Sequence, residues 1–392
     1  MMSMDKYDVV IIGGGINGAG VAQSAAAMGY SVLLLEKNSQ LALETSGRSS
    51  KLIHGGLRYL ESLEFSLVRE SLKERNLLLK LAPELVRLQK FNIPVYDDTQ
   101  RSAKTLRLGL SLYAMLAGLK KQNFYHEVKR RYWSELDGLQ TKNLQTVLQY
   151  NDAQTDDSAL TRAVMASASS LGAEHQCDAA FVRADVENDK VSVQYQQNGL
   201  VKTLQAGVVV NASGPWVHAV NQQIFPQTVM QKPDLVQGSH LVLKTPITQA
   251  YYLEAPQDQR AVFLLPWQSR ALLGTTEHLY QGDPANMCVL DEEKEYLLGV
   301  YEHYFPSHDK EILQTMTGCR VLMPAGDSLF KRSREIYFET DNDDRPRVLS
   351  IIGGKLTVYR QTAIKIMEVL KKTLPERKAI ADTAKLKLTP VD

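Results

Sequence analysis

The chain has 392 residues, 44% of them hydrophobic, enough to bury a large core in two domains or one composite one. Its formal net charge of +1 gives no electrostatic footprint for nucleic acid or for an acidic partner. The three cysteines, Cys177, Cys288 and Cys319, are far apart and match no metal spacing, so they read as reduced thiols of a cytosolic protein without a disulfide framework.

Tyr7 to Gly13 reads as a short, apolar, β-branched buried parallel strand. The alanine-rich stretch Ile16 to Met28 reads as a helix closed by Gly29, and "SVLLLE" as the next strand, which makes a β-α-β unit. The N-terminal apolar run ends in glycines rather than in a cleavage site, so no signal peptide is expected. A charged helix follows over Phe65 to Leu81, ending before Pro83, and "KFNIPVY" reads as a strand entering a new region. "LGLSLYAMLAGLKKQ", from Leu108, is too short to span a bilayer. It reads as a helix packed on the core or, given Arg101, Lys104, Arg107, Lys120 and Lys121, as a helix lying on an anionic membrane surface.

Asp157 to Leu171 is helical in pattern, and "FVRADVENDKVSVQYQQNG" is a meander. "GVVVNASGPW" returns to a buried parallel strand. "SHLVLK", "RAVFLLPW" and "ALLGTT" suggest an antiparallel sheet, followed by a helix near Leu290 to Tyr304. "RVLSIIGGKLTVYRQTAIKIMEVLKK" is again strand, glycine turn and helix, and the charged tail after Leu374 reads as peripheral. Parallel-type segments at the start, middle and end therefore imply a discontinuous nucleotide domain interleaved with a second domain.

"GGGINGAG" places Gly13, Gly15 and Gly18 between a strand and a helix, with Asn17 inside the turn. The glycines suit a tight turn, close approach of a pyrophosphate and close helix packing, with the helix N-terminus attracting the anion. Glu36, at the end of the next strand, fits an acceptor for ribose hydroxyls. The two later glycine turns, with Ser213–Gly214 and Gly353–Gly354, favour an extended FAD over NAD. A helix starting at Thr357 could aim its N-terminus at the flavin.

With "SSKLIHGGLRYLE", "NASGPWV", "GSHLVL", "LLGTTEHLYQGDP" and "GGKLTVYR", the chain resembles the FAD-dependent glycerol-3-phosphate dehydrogenase/oxidase family, within the D-amino-acid-oxidase-like flavoproteins. The resemblance runs from about Asp8 to Arg360. It implies an α/β (α+β) architecture: a Rossmann-like FAD-binding domain over 1–85, 150–230 and 335–392, interleaved with a mainly antiparallel-sheet substrate domain over 86–149 and 231–334. Many bacterial members carry an extra helical C-terminal domain, and this chain stops soon after its flavin-binding helix. Val321 stands where the family has proline, and the segment to Arg334 matches poorly.

Holding a phosphate monoester, which carries roughly −1.5 to −2 charges near neutral pH, requires cations and strong donors. Oxidising the neighbouring alcohol also requires a base and a hydride acceptor. By resemblance, His54, Arg58 and Lys355 surround the phosphate with Tyr59 close by, His240 is the base, and Arg320 orients the substrate oxygen, with Arg334 a second candidate. An unperturbed imidazole titrates near neutral pH, which suits the base role. Thr45, Ser46, Ser50, Gly55, Gly56, Ser213, Gly214, Gly353, Gly354, Lys355, Leu356 and Thr357 join the fingerprint residues as expected FAD contacts. No metal spacing is present, and the other six histidines carry no comparable signal.

The implied activity is oxidation of sn-glycerol 3-phosphate to dihydroxyacetone phosphate. Electrons would pass to a quinone or to oxygen, in a cytoplasmic protein that is either soluble or docked peripherally on the inner face of the membrane. A carboxylate-acting relative, oxidising a 2-hydroxy acid or an amino acid, and a flavin-bearing subunit that needs a partner are the alternatives.

Overall fold

The computed structural model describes residues 5–227, 230–324 and 336–391. Two mixed sheets organise them. In the first, the apolar Lys6–Ile12 strand lies between Val32–Leu35 and Leu200–Asn211, parallel to both. Val348–Ile352 adds in parallel beyond Asn211, so segments from the start, middle and end of the chain share one sheet. The meander Ala179–Val186, Val191–Gln197, Leu200–Asn211 forms its antiparallel wing.

Ile16–Ala27 packs against this sheet because its side chains are small. All but Asn17 are buried, and Gly20 lies against the ring of Tyr359 in the Tyr359–Leu370 helix. Asp157–Ser169 covers the same core, with Leu160, Val164 and Met165 beside Ala19, Ala22 and Ala26. Strands buried on both faces read as continuous apolar runs, which is how this half announces itself in sequence.

The second sheet is drawn from 52–53, 86–155 and 234–322. Its order, from Asp234–Leu243 through Arg270–Gly274, Ala261–Trp267 and Ala250–Glu254 to Val86–Tyr96 and Leu144–Thr155, is antiparallel except where Ala250–Glu254 meets Val86–Tyr96. Two of its strands lack a clear sequence signal. Leu144–Thr155 buries Thr146, Asp152, Gln154 and Thr155, so its polarity hides its position. Ile312–Leu322 contains Gly318, where the strand comes close to the carbonyl of Arg48. Leu52–Ile53, expected with the nucleotide domain, pairs with Leu144–Thr155 in this sheet.

The tail after Leu374 is largely exposed, as expected of a peripheral segment, but backbone hydrogen bonds tie it down. Ile380 donates its amide to Ala27 and Leu388 to Leu81, and Leu388 is buried in the first core. This charged sequence runs across two helix ends and buries Leu388 between them, while Ile380 stays exposed.

Candidate active site

A cavity of about 530 Å3 runs between the sheets. At Gly13 (φ 109°) the chain turns out of its strand. Gly18, one helical turn on, sits so close to the Gly13 carbonyl that no Cβ fits between them. The Ile16–Ala27 helix thus begins at the cavity wall with no acidic residue in its first turn, and Ser46 Oγ, 2.9 Å from the Ile16 amide, reaches its end. Such a terminus attracts anions. Glu36 lines the cavity and takes the Gly14 amide at 2.6 Å on one oxygen and the Asn38 amide and side chain at 2.8 Å on the other. Beyond it Lys37 stands 3.2 Å over the ring of Trp216, and Phe181 and Val220 complete an apolar end.

Asn17 donates to the Gly353 carbonyl at 3.2 Å, while its Oδ1 is buried with no hydrogen-bond partner among the described residues. Gly214, Ser213, Gly15, Thr45, Ser46, Ser50, Gly353, Gly354, Leu356 and Thr357 line the same cavity. Around Gly214, among the described residues other than its chain neighbours, nothing lies within 4 Å of where a Cβ would stand. Thr45 ties the wall to the second sheet, donating to the Cys319 carbonyl at 3.1 Å.

The other end carries charge. His54, Tyr59, His240, Arg320 and Lys355 line the cavity there. A smaller adjoining pocket of about 80 Å3 shares Ser50, His54, Tyr59, Thr275 and Arg320 with it and adds Gly56, Arg58, Arg260, Glu277 and Asp152. Tyr59 stands between two cations: Lys355 Nζ is 3.8 Å and Arg58 Cζ 5.9 Å from its ring centre. Arg58 and Lys355 are 297 positions apart in the chain yet meet at one aromatic ring. Glu277 gathers three guanidinium groups, Arg320 at 2.6 Å, Arg260 at 3.3 Å and Arg58 at 3.9 Å.

His240 lies mid-strand and buried, with Nε2 2.9 Å from Ser50 Oγ and Nδ1 without a partner among the described residues. Burial first, then the charges of Arg320 and Lys51, push its pKa down to about 3. The near-neutral imidazole expected from the sequence is therefore a firmly neutral one before any anion binds. Gly18, Gly55 and Gly56, expected at the cofactor, are not in the main cavity lining: Gly18 packs the helix, Gly55 is wedged against Leu72 and Tyr113, and Gly56 lies against the Tyr59 ring in the smaller pocket. Arg334 lies outside the described residues. Arg260, Glu277 and Asp152 were not singled out in the sequence. Glu277 sits inside "LLGTTEHLYQGDP" and Arg260 opens "RAVFLLPW", but nothing local marks either as converging on a site.

An elongated cavity with a helix N-terminus in its middle, an unpartnered buried amide oxygen and glycine-lined walls fits a dinucleotide that carries a ring system. The profile of one family, FAD dependent oxidoreductase, matches residues 8–360. The chain belongs to this family. Its cofactor is FAD. The FAD dependent oxidoreductase is 37% identical over 382 residues to the aerobic glycerol-3-phosphate dehydrogenase of Escherichia coli, covering 94% of this chain and 74% of that one. It is 35% identical over 386 residues to the D-erythritol 1-phosphate dehydrogenase of Brucella abortus, covering 96% and 76%. Among solved structures, the FAD complex of glycerol-3-phosphate dehydrogenase from Bacillus halodurans superposes with a TM-score of 0.75 at 26% identity, over 99% of this chain and 68% of that one. L-α-glycerophosphate oxidase of Mycoplasma pneumoniae, with FAD bound, shares the fold, with a TM-score of 0.76 at 15% identity over 99% and 100% of the two chains. In this oxidoreductase Asn17, Gly15, Ser46 and Gly214 would hold the cofactor's pyrophosphate region. Glu36, Lys37 and Trp216 would hold its nucleoside, leaving the His240 end for its ring.

Proposed function

We propose that this oxidoreductase converts sn-glycerol 3-phosphate to dihydroxyacetone phosphate. The observation that carries the reading is the meeting of Arg58, Arg260 and Arg320 on Glu277, in a pocket continuous with the FAD cavity and adjoining His240 and Lys355. Such a density of cations suits a dianionic phosphate ester better than the carboxylate of an amino acid or 2-hydroxy acid, for which one arginine suffices. The names of the glycerol-3-phosphate dehydrogenases among the relatives support the same class. The D-erythritol 1-phosphate dehydrogenase supports a four-carbon polyol phosphate as the second reading.

FAD supplies the two-electron acceptor. The chain supplies position and proton handling. Arg58 and Lys355, flanking Tyr59, and Arg320 hold the phosphate and set the alcohol carbon against the cofactor cavity. His240 Nε2 takes the alcohol proton at the place where it now meets the Ser50 hydroxyl. Burial above all, and then the charge of Arg320, lower the basicity of His240. A bound dianion offsets the Arg320 part of that effect, while the burial part remains. Arg320 also stabilises the developing alkoxide. We assign a quinone, or dioxygen, as the final electron acceptor. We assign the protein to the cytoplasmic face of a membrane as a peripheral protein, on the strength of Leu108 and Met115, exposed on the Ala103–Leu116 helix near Lys104 and Arg107. No described helix is long and apolar enough to cross a membrane.

Anaerobic mixing of the holoenzyme with single compounds tests the reading. Sn-glycerol 3-phosphate should bleach the flavin absorbance fastest, erythritol phosphates more slowly, and glycine or lactate not at all. Preferential bleaching by lactate or glycine would reverse the assignment.

A further inference from the structure

The loop that carries His54, Arg58 and Tyr59 is clamped at two consecutive amides by side chains from opposite halves of the molecule. The His54 amide donates to Thr357 Oγ1 at 3.1 Å, from the glycine turn of the first sheet. The Gly55 amide donates to the hydroxyl of Tyr113 at 2.8 Å, from the Ala103–Leu116 helix. Tyr113 in turn donates to Asp152 Oδ2 at 2.7 Å, and Arg75 holds Asp152 Oδ1 at 3.0 Å. Asp152 Oδ1 also lies 3.4 Å from the Gly55 amide. Tyr113 and Asp152 are 2% exposed and Arg75 is 0% exposed. Arg75 is further held by the Asn151 carbonyl and the side chains of Asn76 and Asn123.

A buried ion pair of this kind is weak evidence for stability, because desolvation offsets most of the Coulomb attraction. Its partners could be replaced by apolar side chains at little cost unless its geometry serves another end. The geometry ends on one amide. Gly55 has no side chain because a Cβ would stand 2.5 Å from both the Tyr113 hydroxyl and Leu72 Cδ2, so the loop backbone is brought up against the phenol itself. Three residues further on is Arg58, in the pocket that Asp152 also lines.

We propose that Tyr113, Asp152 and Arg75 are positioning residues for substrate binding: a buried relay that fixes the Gly55 amide and thereby the placement of Arg58 and Tyr59. The proposal rests on the reading of this pocket as the phosphate site. Tyr113 and Arg75 do not line the pocket, so loss of the relay at Tyr113 falls on affinity and not on turnover at saturation.

The test compares Tyr113→Phe with Leu72→Ala in the FAD-loaded protein. Both lie against Gly55, but only the first removes a polar contact. Inorganic phosphate is titrated by its perturbation of the flavin spectrum, alongside melting temperature and steady-state kinetics. Tyr113→Phe should weaken phosphate binding and raise KM by about fivefold or more, the worth of one hydrogen bond, with kcat and flavin content little changed. Leu72→Ala should lower the melting temperature more and move phosphate affinity less. Unchanged phosphate affinity in Tyr113→Phe, or equal losses in both variants, would overturn the relay. Rapid amide exchange at Gly55 in the unaltered protein, which needs no variant, would overturn it too. Phosphate binding without bleaching by any phosphorylated polyol would remove the substrate assignment and leave the relay standing. Intact bleaching with a silent Tyr113→Phe would do the reverse.

Discussion

Arg320 Nη1 donates to Glu277 Oε1 across 2.6 Å, and the same carboxylate, 5% exposed in its side chain, faces Arg260 and Arg58. Glu277 is thus an internal anion at the pocket proposed to bind the substrate phosphate. Replacing it with glutamine or alanine leaves the guanidinium groups to repel one another, and bound phosphate then relieves more repulsion than it does in the natural protein. Glu277→Ala should lower the stability of the phosphate-free protein by roughly 1–3 kcal/mol. Millimolar phosphate should restore more of the melting temperature than it adds to the natural protein. Equal phosphate-induced shifts in the two proteins would show that the carboxylate and the ligand do not share the arginines.

His240 makes a prediction whose sign follows from its burial. Its pKa is about 3 in the fold, against about 6.5 for a free imidazole. Between those values the unfolded chain carries the proton and the folded chain does not, so stability falls as pH drops below about 6.5. The slope approaches about 1.4 kcal/mol per pH unit for this one group. Urea unfolding at several pH values should show the His240→Asn protein losing less stability on acidification than the natural one. The same substitution should lower kcat roughly 100-fold or more with a small change in KM, while Arg58→Ala should mainly raise KM. Unchanged turnover in His240→Asn would remove its role as base.

The parts of this architecture that were legible in sequence are those where local pattern and burial agree. Residues 9–12, Ile16–Ala27 and Val348–Ile352 announce themselves because the strands are buried on both faces and every helix residue but Asn17 is buried, so their sequences are mostly apolar or small. Part of the cavity lining was legible because glycines at tight turns, such as Gly13, Gly214, Gly353 and Gly354, leave a mark one position wide. The arginine-lined pocket was only half legible. Arg58 and Lys355 belong to recognisable strings, whereas Arg260 and Glu277 are brought in by the pairing of Ala261–Trp267 with Arg270–Gly274, a register that no local pattern fixes. Asp152 was hidden for the opposite reason: a buried carboxylate inside a strand looks in sequence like a break in that strand.

Gly18 and Gly109 should respond oppositely to alanine. At Gly18 a Cβ would meet the Gly13 carbonyl oxygen and stand 3.4 Å from Ile11 Cγ2, so the helix must lift from the strand that shapes the cofactor turn. Gly18→Ala should purify with less than half its FAD and a lowered melting temperature. Gly109 lies inside the Ala103–Leu116 helix with nothing within 4 Å of its Cβ position. Gly109→Ala should retain FAD and gain about 0.5–1 kcal/mol from helix propensity alone. Absorbance ratios at the flavin and protein bands, with thermal melts, check both.

The outer face of the Ala103–Leu116 helix supports the last prediction. Leu108 is 73% and Met115 54% exposed, and Leu63, Leu119 and Phe124 on flanking turns are exposed as well. Lys104, Arg107, Lys120 and Lys121 border them in sequence. Apolar side chains with a basic rim match the boundary of an anionic bilayer, where burial of the side chains and attraction to headgroups add together. A bilayer surface is also where a lipid-soluble quinone would be met. The holoenzyme should float with vesicles containing anionic lipid at low salt, and less with neutral vesicles or at high salt. Leu108→Glu combined with Met115→Glu should abolish flotation at little cost to folding, since both side chains already face outward. Its bleaching by substrate should be unchanged, because neither residue lines the cavity or the adjoining pocket. Flotation equal to that of the natural protein would show that this face does not dock on membranes.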